Sequence, residues 1–110
     1  YINPNGDLML FDNGLYEMQS GALAFKLDEK NLTAATTLKV KLPKDKYTSR
    51  MGSAYLMPNG NLLQCSSKTG SILITDQSGK VLWESRMAYA PYRALYVSAD
   101  LFKNYFTEIK

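Results

Sequence analysis

The sequence predicts an all-β fold built from antiparallel meanders. Apolar and polar residues alternate with a period of two along several segments, and turn residues separate these segments at short intervals. Helical spacing of apolar residues appears only near the C-terminal end. The chain has 110 residues, of which 45% are hydrophobic and 12% aromatic. It is therefore a folded chain that is long enough for one small domain or one part of a larger domain.

Two strands and a connection of hairpin length are predicted in the first half. Residues 22–28 alternate, and Leu23 begins the more apolar of the two faces. Residues 36–42 alternate in the same way, with Leu38 on the apolar face. The polar stretch 28–31 joins the two segments. Such alternation is typical of half-buried strands in an antiparallel sheet.

The second half predicts four short strands joined by tight turns. These strands cover residues 52–57, 61–66, 71–76 and 80–86. Each is separated from the next by a stretch that contains glycine. Four antiparallel strands in about 35 residues, connected one to the next, are typical of one blade of a β-propeller.

The C-terminal residues predict a strand followed by a short helix. The strand covers Tyr92–Val97, and Ser98 is a candidate N-cap for the helix. The apolar residues at roughly helical spacing after the cap are Leu101, Phe102, Tyr105, Phe106 and Ile109. The alternative to a helix is an extended tail that docks on the sheet.

An internal repeat supports the blade interpretation. Tyr1–Leu8 aligns with Tyr55–Leu62, and Tyr, Pro, Asn, Gly and Leu are identical at matching places. The offset from Tyr1 to Tyr55 is 54 residues, which is long for a propeller blade. We expect residues 1–50 to form a partial or complete blade, and residues 51–110 to form a blade with a closing strand or tail. Two blades cannot close a ring, so we expect a fragment of a larger propeller, in accord with an opening Tyr-Ile-Asn-Pro that lacks Met.

The composition excludes several classes of site. The chain has no histidine, so it contains no Ser-His-Asp triad, no Cys-His pair and no histidine ligand for zinc. Its single cysteine excludes an intrachain disulfide or a multi-cysteine metal site. Asp7, Asp12 and Asp76 lack the spacing of a calcium loop, and no metal site is predicted.

The charge pattern predicts no nucleic-acid partner and no membrane span. The net charge is +3, and the one local cluster of lysines is interpreted as a solvated strand face and loop. Its members are Lys39, Lys41, Lys44 and Lys46. No apolar run approaches the ~20 residues that a spanning helix requires. Exposed sheet faces and edges predict instead a homo-oligomer, or association with the remaining propeller blades.

An ordered set of short motifs resembles the C-terminal part of the bacterial arylsulfotransferase family. The first motifs are Leu-Phe-Asp-Asn-Gly at 10–14 and Ala-Phe-Lys-Leu-Asp at 24–28, followed by Thr33. The later ones are Tyr47, Gly-Ser-Ala at 52–54, Leu-Met-Pro-Asn-Gly-Asn-Leu at 56–62, Gly-Ser-Ile at 70–72, Gly-Lys-Val-Leu-Trp-Glu at 79–84 and Tyr-Arg-Ala-Leu at 92–95. The family consists of six-bladed propeller enzymes that move a sulfuryl group from one phenol to another.

The resemblance implies a function for the complete protein rather than for these residues alone. Its substrates would be a phenolic sulfate ester and a phenol, with no redox cofactor, and its location the periplasm, the outside of the cell or the cell surface. The family's nucleophilic histidine lies shortly before the Phe-Asp-Asn-Gly motif, so we expect no catalytic residue in this chain. Some family members have histidine where this chain has Pro91. The alternative is a non-catalytic β-propeller module that binds a ligand or a protein.

Four residues are candidate substrate contacts. Arg93 with Tyr92 could bind a sulfate group at the channel, because a guanidinium donates to an oxyanion in bidentate fashion; the alternative is Arg93 stacked on a tyrosine or paired with a carboxylate. Asn13 and Asp12 could position substrate, and the alternative is an Asx turn before Gly14. Two further residues, Trp83 and Cys65, are predicted to be buried in the blade.

Overall fold

The computed structural model describes residues 1–106. It contains seven strands in two antiparallel sheets, followed by one helix. Sheet 1 contains β1 (Leu8–Asp12), β2 (Gly21–Asp28) and β3 (Thr33–Lys41). Sheet 2 contains β4 (Ser53–Leu56), β5 (Leu62–Ser66), β6 (Ser71–Thr75) and β7 (Val81–Arg86). A short 3₁₀ turn (Lys44–Lys46) lies between the sheets, and α1 (Ala99–Phe106) follows sheet 2.

Within each sheet, each strand pairs with the next strand in the chain. The order is β1-β2-β3 in sheet 1 and β4-β5-β6-β7 in sheet 2, and all the pairs are antiparallel. The predicted all-β class and the four-stranded meander of the second half are confirmed. The N-terminal residue also pairs with β1 of sheet 1: the amide of Met9 donates to the carbonyl of Tyr1 over 2.8 Å.

The sequence repeat is also a repeat of structure. Gly6 and Gly60 have nearly the same backbone angle φ, 88° and 86°. Each amide donates to the carbonyl three residues earlier over 2.9 Å. The side chains of Asn5 and Asn59 each accept the amide two residues later over 3.0 Å. Pro-Asn-Gly therefore builds the same glycine-closed hairpin turn twice, since glycine adopts positive φ without strain.

The core lies between the two sheets. Small and branched side chains of sheet 1 meet one face of sheet 2. The buried members are Met9, Ala22, Ala24 and Val40 of sheet 1 and Ala54 and Leu62 of sheet 2. Each sheet thus packs one face against the other sheet, and on the opposite face of sheet 2 Cys65 is buried with its thiol 3.6 Å from the carbonyl of Pro91. The predicted burial of Trp83 is wrong: it lies on the face of sheet 2 opposite sheet 1 and is 51% exposed.

The connection between the sheets is fixed by a buried ion pair. The ammonium of Lys46 contacts the carboxylate of Glu84 and lies 3.3 Å from the hydroxyl of Ser71. The hydroxyl of Ser66 donates to the carbonyl of Lys46 over 2.7 Å. The solvated position predicted for Lys46 is therefore wrong, since only 5% of the residue is exposed. The charge is buried because a carboxylate and a hydroxyl compensate its loss of water.

Residues 92–97 form an extended tail rather than the predicted strand. The backbone of Ala94 is held by a side chain, because the hydroxyl of Ser53 accepts its amide at 3.0 Å and donates to its carbonyl at 3.3 Å. A strand in a sheet makes several consecutive backbone hydrogen bonds to its neighbour. The tail makes one such bond beside sheet 2, from the amide of Gly52 to the carbonyl of Tyr92 over 3.4 Å.

The predicted C-terminal helix is confirmed where the structure describes it. The hydroxyl of Ser98 accepts the amide of Leu101 over 3.2 Å, which is the expected N-cap contact. Ile109, the last apolar residue of the predicted helical pattern, lies outside the described residues. Among residues 1–106, no helix has the length and apolar character needed to cross a membrane.

Candidate ligand-binding groove

A groove lies along the edge where the two sheets and the tail meet. It is lined by residues 9–11 of β1, residues 52–55 at the start of β4, Tyr1 and Arg93, and its volume is about 290 Å³. We call it the edge groove. This volume is near the lower end of the range for small-molecule sites. It brings together the N-terminal residue, both sheets and the tail.

The base of the edge groove is a close contact between Gly52 and the ring of Phe11. A Cβ on Gly52 would lie 2.4 Å from Cε1 of Phe11 and 2.9 Å from the carbonyl oxygen of Cys65. Gly52 also has φ of 113°, a conformation that residues with a side chain rarely adopt. Glycine is thus required here for two independent reasons, and it lets the aromatic ring lie directly against the backbone.

The tail is anchored beside the groove on both sides of Arg93. Tyr92 accepts the amide of Gly52 through its carbonyl, and Ala94 makes the two contacts with Ser53 described above. Because both neighbours of Arg93 are held, the position of its backbone is set by the start of β4.

Arg93 is a cation surrounded by tyrosines. Its guanidinium carbon lies 4.9 Å from the ring centroid of Tyr92, a cation–π contact. Hydrogen bonding to the side chain of Tyr92, and more weakly to Tyr55, outweighs desolvation and raises the pKa of Arg93. No carboxylate of residues 1–106 forms a salt bridge with it. Arg93 is therefore a permanent, exposed positive charge at the mouth of the groove.

A pair of repeat-related tyrosines forms one wall. The rings of Tyr1 and Tyr55 meet edge to face, with centroids 4.9 Å apart and an interplanar angle of 65°. Tyr1 and Tyr96 of the tail both line a second, larger cavity of about 510 Å³. The wall next to Arg93 is therefore aromatic, and a ligand can extend past it toward the tail.

Asn13 lies at the end of β1 and joins it to the segment between the sheets. Its side-chain nitrogen donates to the carbonyls of Thr48 at 2.9 Å and Met51 at 2.8 Å. The hydroxyl of Ser20 donates to the Asn13 carbonyl at 2.8 Å. Both hydrogens of the carboxamide are thus used within the protein, and their effect is to hold the segment that leads into Gly52.

Asp12 makes the Asx turn that its sequence context allows. Its Oδ1 accepts the amide of Gly14 over 2.9 Å. Asp12 lines a different cleft of about 190 Å³, together with Lys39 and Lys41. The structure therefore brings Arg93 and Tyr92 together but places neither Asp12 nor Asn13 in the lining of the edge groove.

Among residues 1–106, neither a thiol in the groove lining nor a metal-binding cluster accompanies Arg93. Cys65 is buried, its thiol lies 3.6 Å from the carbonyl of Pro91, and burial raises its pKa. The predicted burial of Cys65 is confirmed. In residues 1–106 no group of three or more cysteine, aspartate or glutamate side chains is placed to hold a metal ion. The groove thus offers an anion one guanidinium and the hydroxyls of Tyr1, Tyr55 and Ser53, and its lining includes neither an imidazole nor a thiol.

Sequence reasoning missed Tyr1, Tyr55 and Ser53 as groove residues. The two tyrosines occupy matching positions of the repeat, so the repeat could have indicated that they lie side by side on neighbouring sheets. Nothing in the local sequence indicates the contact of Ser53 with Ala94, because it joins residues 41 apart in the chain.

Comparisons of the chain with protein-family models, with curated proteins and with solved structures found no match.

Proposed function

We propose that these residues form two neighbouring blades of an arylsulfotransferase-like propeller, in which the edge groove binds a phenolic sulfate ester. The observation that carries the proposal is Arg93, a cation without a carboxylate partner in the described chain, placed between tyrosines at the groove mouth. The family and its periplasmic or cell-surface location rest on the sequence motifs alone.

The two parts of an aryl sulfate have matching partners in the groove. A guanidinium offers paired N–H donors to the oxygens of a sulfate group. The Tyr1–Tyr55 wall offers ring faces and edges on which an aryl group can pack. Because a permanent charge and an aromatic wall stand side by side, the groove favours an anion that carries a ring over either part alone.

In the arylsulfotransferase family a histidine accepts the sulfuryl group, and this chain has no histidine. Its one thiol is buried with a raised pKa. In the proposed transferase the groove therefore contributes binding and charge stabilisation, while the acceptor of the sulfuryl group comes from residues beyond these 110.

The second candidate function is a non-catalytic blade pair that binds an aromatic anion. The absence of histidine from this chain favours it. The two candidates differ in the fate of the ester in a longer chain that contains these residues: the transferase releases the first phenol when an acceptor phenol is added, whereas the binding module retains an intact ester.

Calorimetric titration of the 110-residue chain with 4-nitrophenyl sulfate tests the binding step. We expect Arg93→Gln to weaken binding about tenfold and Arg93→Lys to weaken it less. Lys80→Gln is the matched control, because it removes one exposed positive charge from the turn between β6 and β7. Inorganic sulfate and 4-nitrophenol should each bind more weakly than the ester.

Three outcomes would overturn the proposal. They are no binding of the ester by the wild-type chain, equal binding by wild type and Arg93→Gln, and equal binding of ester and free phenol. Separately, steady release of 4-nitrophenol by the 110-residue chain with an acceptor phenol present would show that these residues do contain a nucleophile.

A further inference from the structure

A second cavity, with a mostly polar lining and a volume of about 170 Å³, borders the first Pro-Asn-Gly turn. The turn contributes Asn3, Asn5 and Asp7 to its lining. Sheet 1 contributes Thr37 of β3, and the connection between β6 and β7 contributes Gln77. We call it the turn cavity. Side chains that carry oxygen atoms thus line it from three separate parts of the chain.

Asp7 places a negative charge without a counter-charge in this lining. Only 9% of the residue is exposed, and no cationic group of residues 1–106 forms a salt bridge with it. Its Oδ2 accepts the carboxamide of Asn5 over 3.1 Å and the hydroxyl of Thr37 over 2.8 Å. Its Oδ1 accepts no hydrogen bond from these residues. Because a buried carboxylate is costly unless its charge is compensated, the Oδ1 of Asp7 is a ligand atom available to a cation.

Asn3 places a second unpartnered oxygen in the same lining. The residue is 3% exposed, and within residues 1–106 its Oδ1 is buried and accepts no hydrogen bond. The amide of Asn3 donates to the carbonyl of Asp7 over 2.8 Å, so the two residues lie opposite each other in the turn. A buried carbonyl oxygen normally has a donor or an ion as its partner. A water molecule would satisfy Asn3 but would supply no charge to Asp7, whereas a cation supplies both.

The sequence repeat shows that the turn itself does not require these two side chains. The offset of 54 residues places Asn3 on Met57 and Asp7 on Asn61. The amide of Met57 donates to the carbonyl of Asn61 over 2.8 Å, as the amide of Asn3 does to the carbonyl of Asp7. The second hairpin thus closes in the same way without a carboxylate and without a buried carboxamide. The oxygens of Asn3 and Asp7 therefore need an explanation other than the geometry of the turn.

We propose that the turn cavity binds a calcium ion through the Oδ1 atoms of Asn3 and Asp7. Gln77 adds the oxygen of its carboxamide, since its nitrogen already donates to the carbonyl of Gly60 over 3.0 Å. Calcium accepts about six to eight oxygen ligands in irregular geometry, including neutral carboxamides and water, whereas magnesium requires a regular octahedron. The site thus needs no cluster of carboxylates. With one carboxylate among its ligands, its dissociation constant should be about 0.1–1 mM.

Calorimetric titration of the 110-residue chain with calcium chloride tests the site, and thermal unfolding gives a second readout. Calcium at about ten times its dissociation constant should raise the unfolding midpoint by about 5 °C, because it binds the folded chain alone. Magnesium chloride at the same ionic strength should bind about tenfold more weakly or less.

Two substitutions remove one ligand oxygen each and introduce the residue that the second turn has at the same place. Asp7→Asn should weaken calcium binding about tenfold or more, and Asn3→Met about fivefold, because the first also removes the charge. Asp28→Asn is the matched control. It changes an exposed turn carboxylate that accepts the amide of Lys30 over 3.1 Å, and calcium binding should stay as in the wild type.

The proposal is overturned if calcium up to about 10 mM neither binds nor raises the unfolding midpoint. It is also overturned if Asp7→Asn or Asn3→Met binds calcium as the wild type does, or if Asp28→Asn weakens binding as much as Asp7→Asn. Circular dichroism establishes that each variant retains its strands. If one does not, Gln77→Ala, at an exposed position, takes its place and should also weaken binding. None of these residues lines the edge groove, so the result is independent of aryl sulfate binding.

Discussion

The ion pair of Lys46 and Glu84 should make the stability of the fold depend on pH in a specific window. Hydrogen bonding to Lys46, assisted by Ser71 and Arg86 against the cost of desolvation, lowers the pKa of Glu84 from 4.5 to about 2. A carboxyl group with a lowered folded pKa stabilises the protein above its unfolded pKa. That contribution is lost as the pH falls from about 5 toward 2.

The size of the effect follows from the shift. One pKa unit corresponds to about 1.4 kcal/mol, which sets an upper bound of about 3 kcal/mol for Glu84. The Glu84 side chain is 26% exposed, and water reaching it reduces the expected contribution to about 1–2 kcal/mol. This is a large fraction of the stability of a small domain.

Urea unfolding of the wild-type chain and of Glu84→Gln at several pH values measures this contribution. Glu84→Gln should be less stable than wild type at pH 7, because it leaves the buried ammonium of Lys46 without its counter-charge. The difference should shrink between about pH 5 and 3. Glu17, Asp28 and Asp76 also have lowered pKa values, but they titrate alike in both proteins and cancel in the difference. A difference that stays constant over this window would refute the reasoning.

Three further outcomes follow from single contacts. Gly52→Ala should lower the free energy of unfolding by about 2 kcal/mol or more, since its Cβ would collide with Phe11 in a backbone conformation that glycine favours; unchanged urea unfolding would contradict this. Asn13→Ala should cost about 1–2 kcal/mol in the same assay, because two carbonyls lose their donor, and a wild-type midpoint would show that the contacts are dispensable. Cys65 should react with a thiol reagent slowly in the folded chain and quickly in urea, because it is buried; equal rates would count against its burial.

The local pattern of apolar, polar and turn residues was sufficient to predict most of the strands. Alternation and turn residues predicted six of the seven strands because strand and hairpin formation depend on neighbours in sequence. The segment from Leu8 to Asp12 forms a strand that the alternation argument did not predict, although the repeat aligned its start with Leu62. The tail at 92–97 has strand-like composition, but a strand also needs the edge of a sheet to pair with. Here the hydroxyl of Ser53 binds the amide and the carbonyl of Ala94 instead.

The burial of individual side chains and the lining of the edge groove depend on contacts between distant parts of the chain. Trp83 was predicted to be buried because the sequence does not show which face of a strand meets the other sheet. Lys46 has the composition of a solvated loop, and only the distant Glu84 makes its burial possible. For the groove, Arg93 and Tyr92 are neighbours in sequence and could be predicted together, whereas Tyr55 reaches them from another strand.

The order of strands within each sheet has a consequence for how the chain can change in evolution. Because every strand pairs with its sequence neighbour, one uninterrupted stretch of chain carries a whole sheet. A single in-frame duplication or deletion can then add or remove a complete sheet without breaking a strand pair elsewhere. The spacing of 54 residues between the two Pro-Asn-Gly turns matches such a unit of duplication. The same locality closes only short loops during folding, so each sheet can form before the two dock, a sequence of events that favours rapid folding.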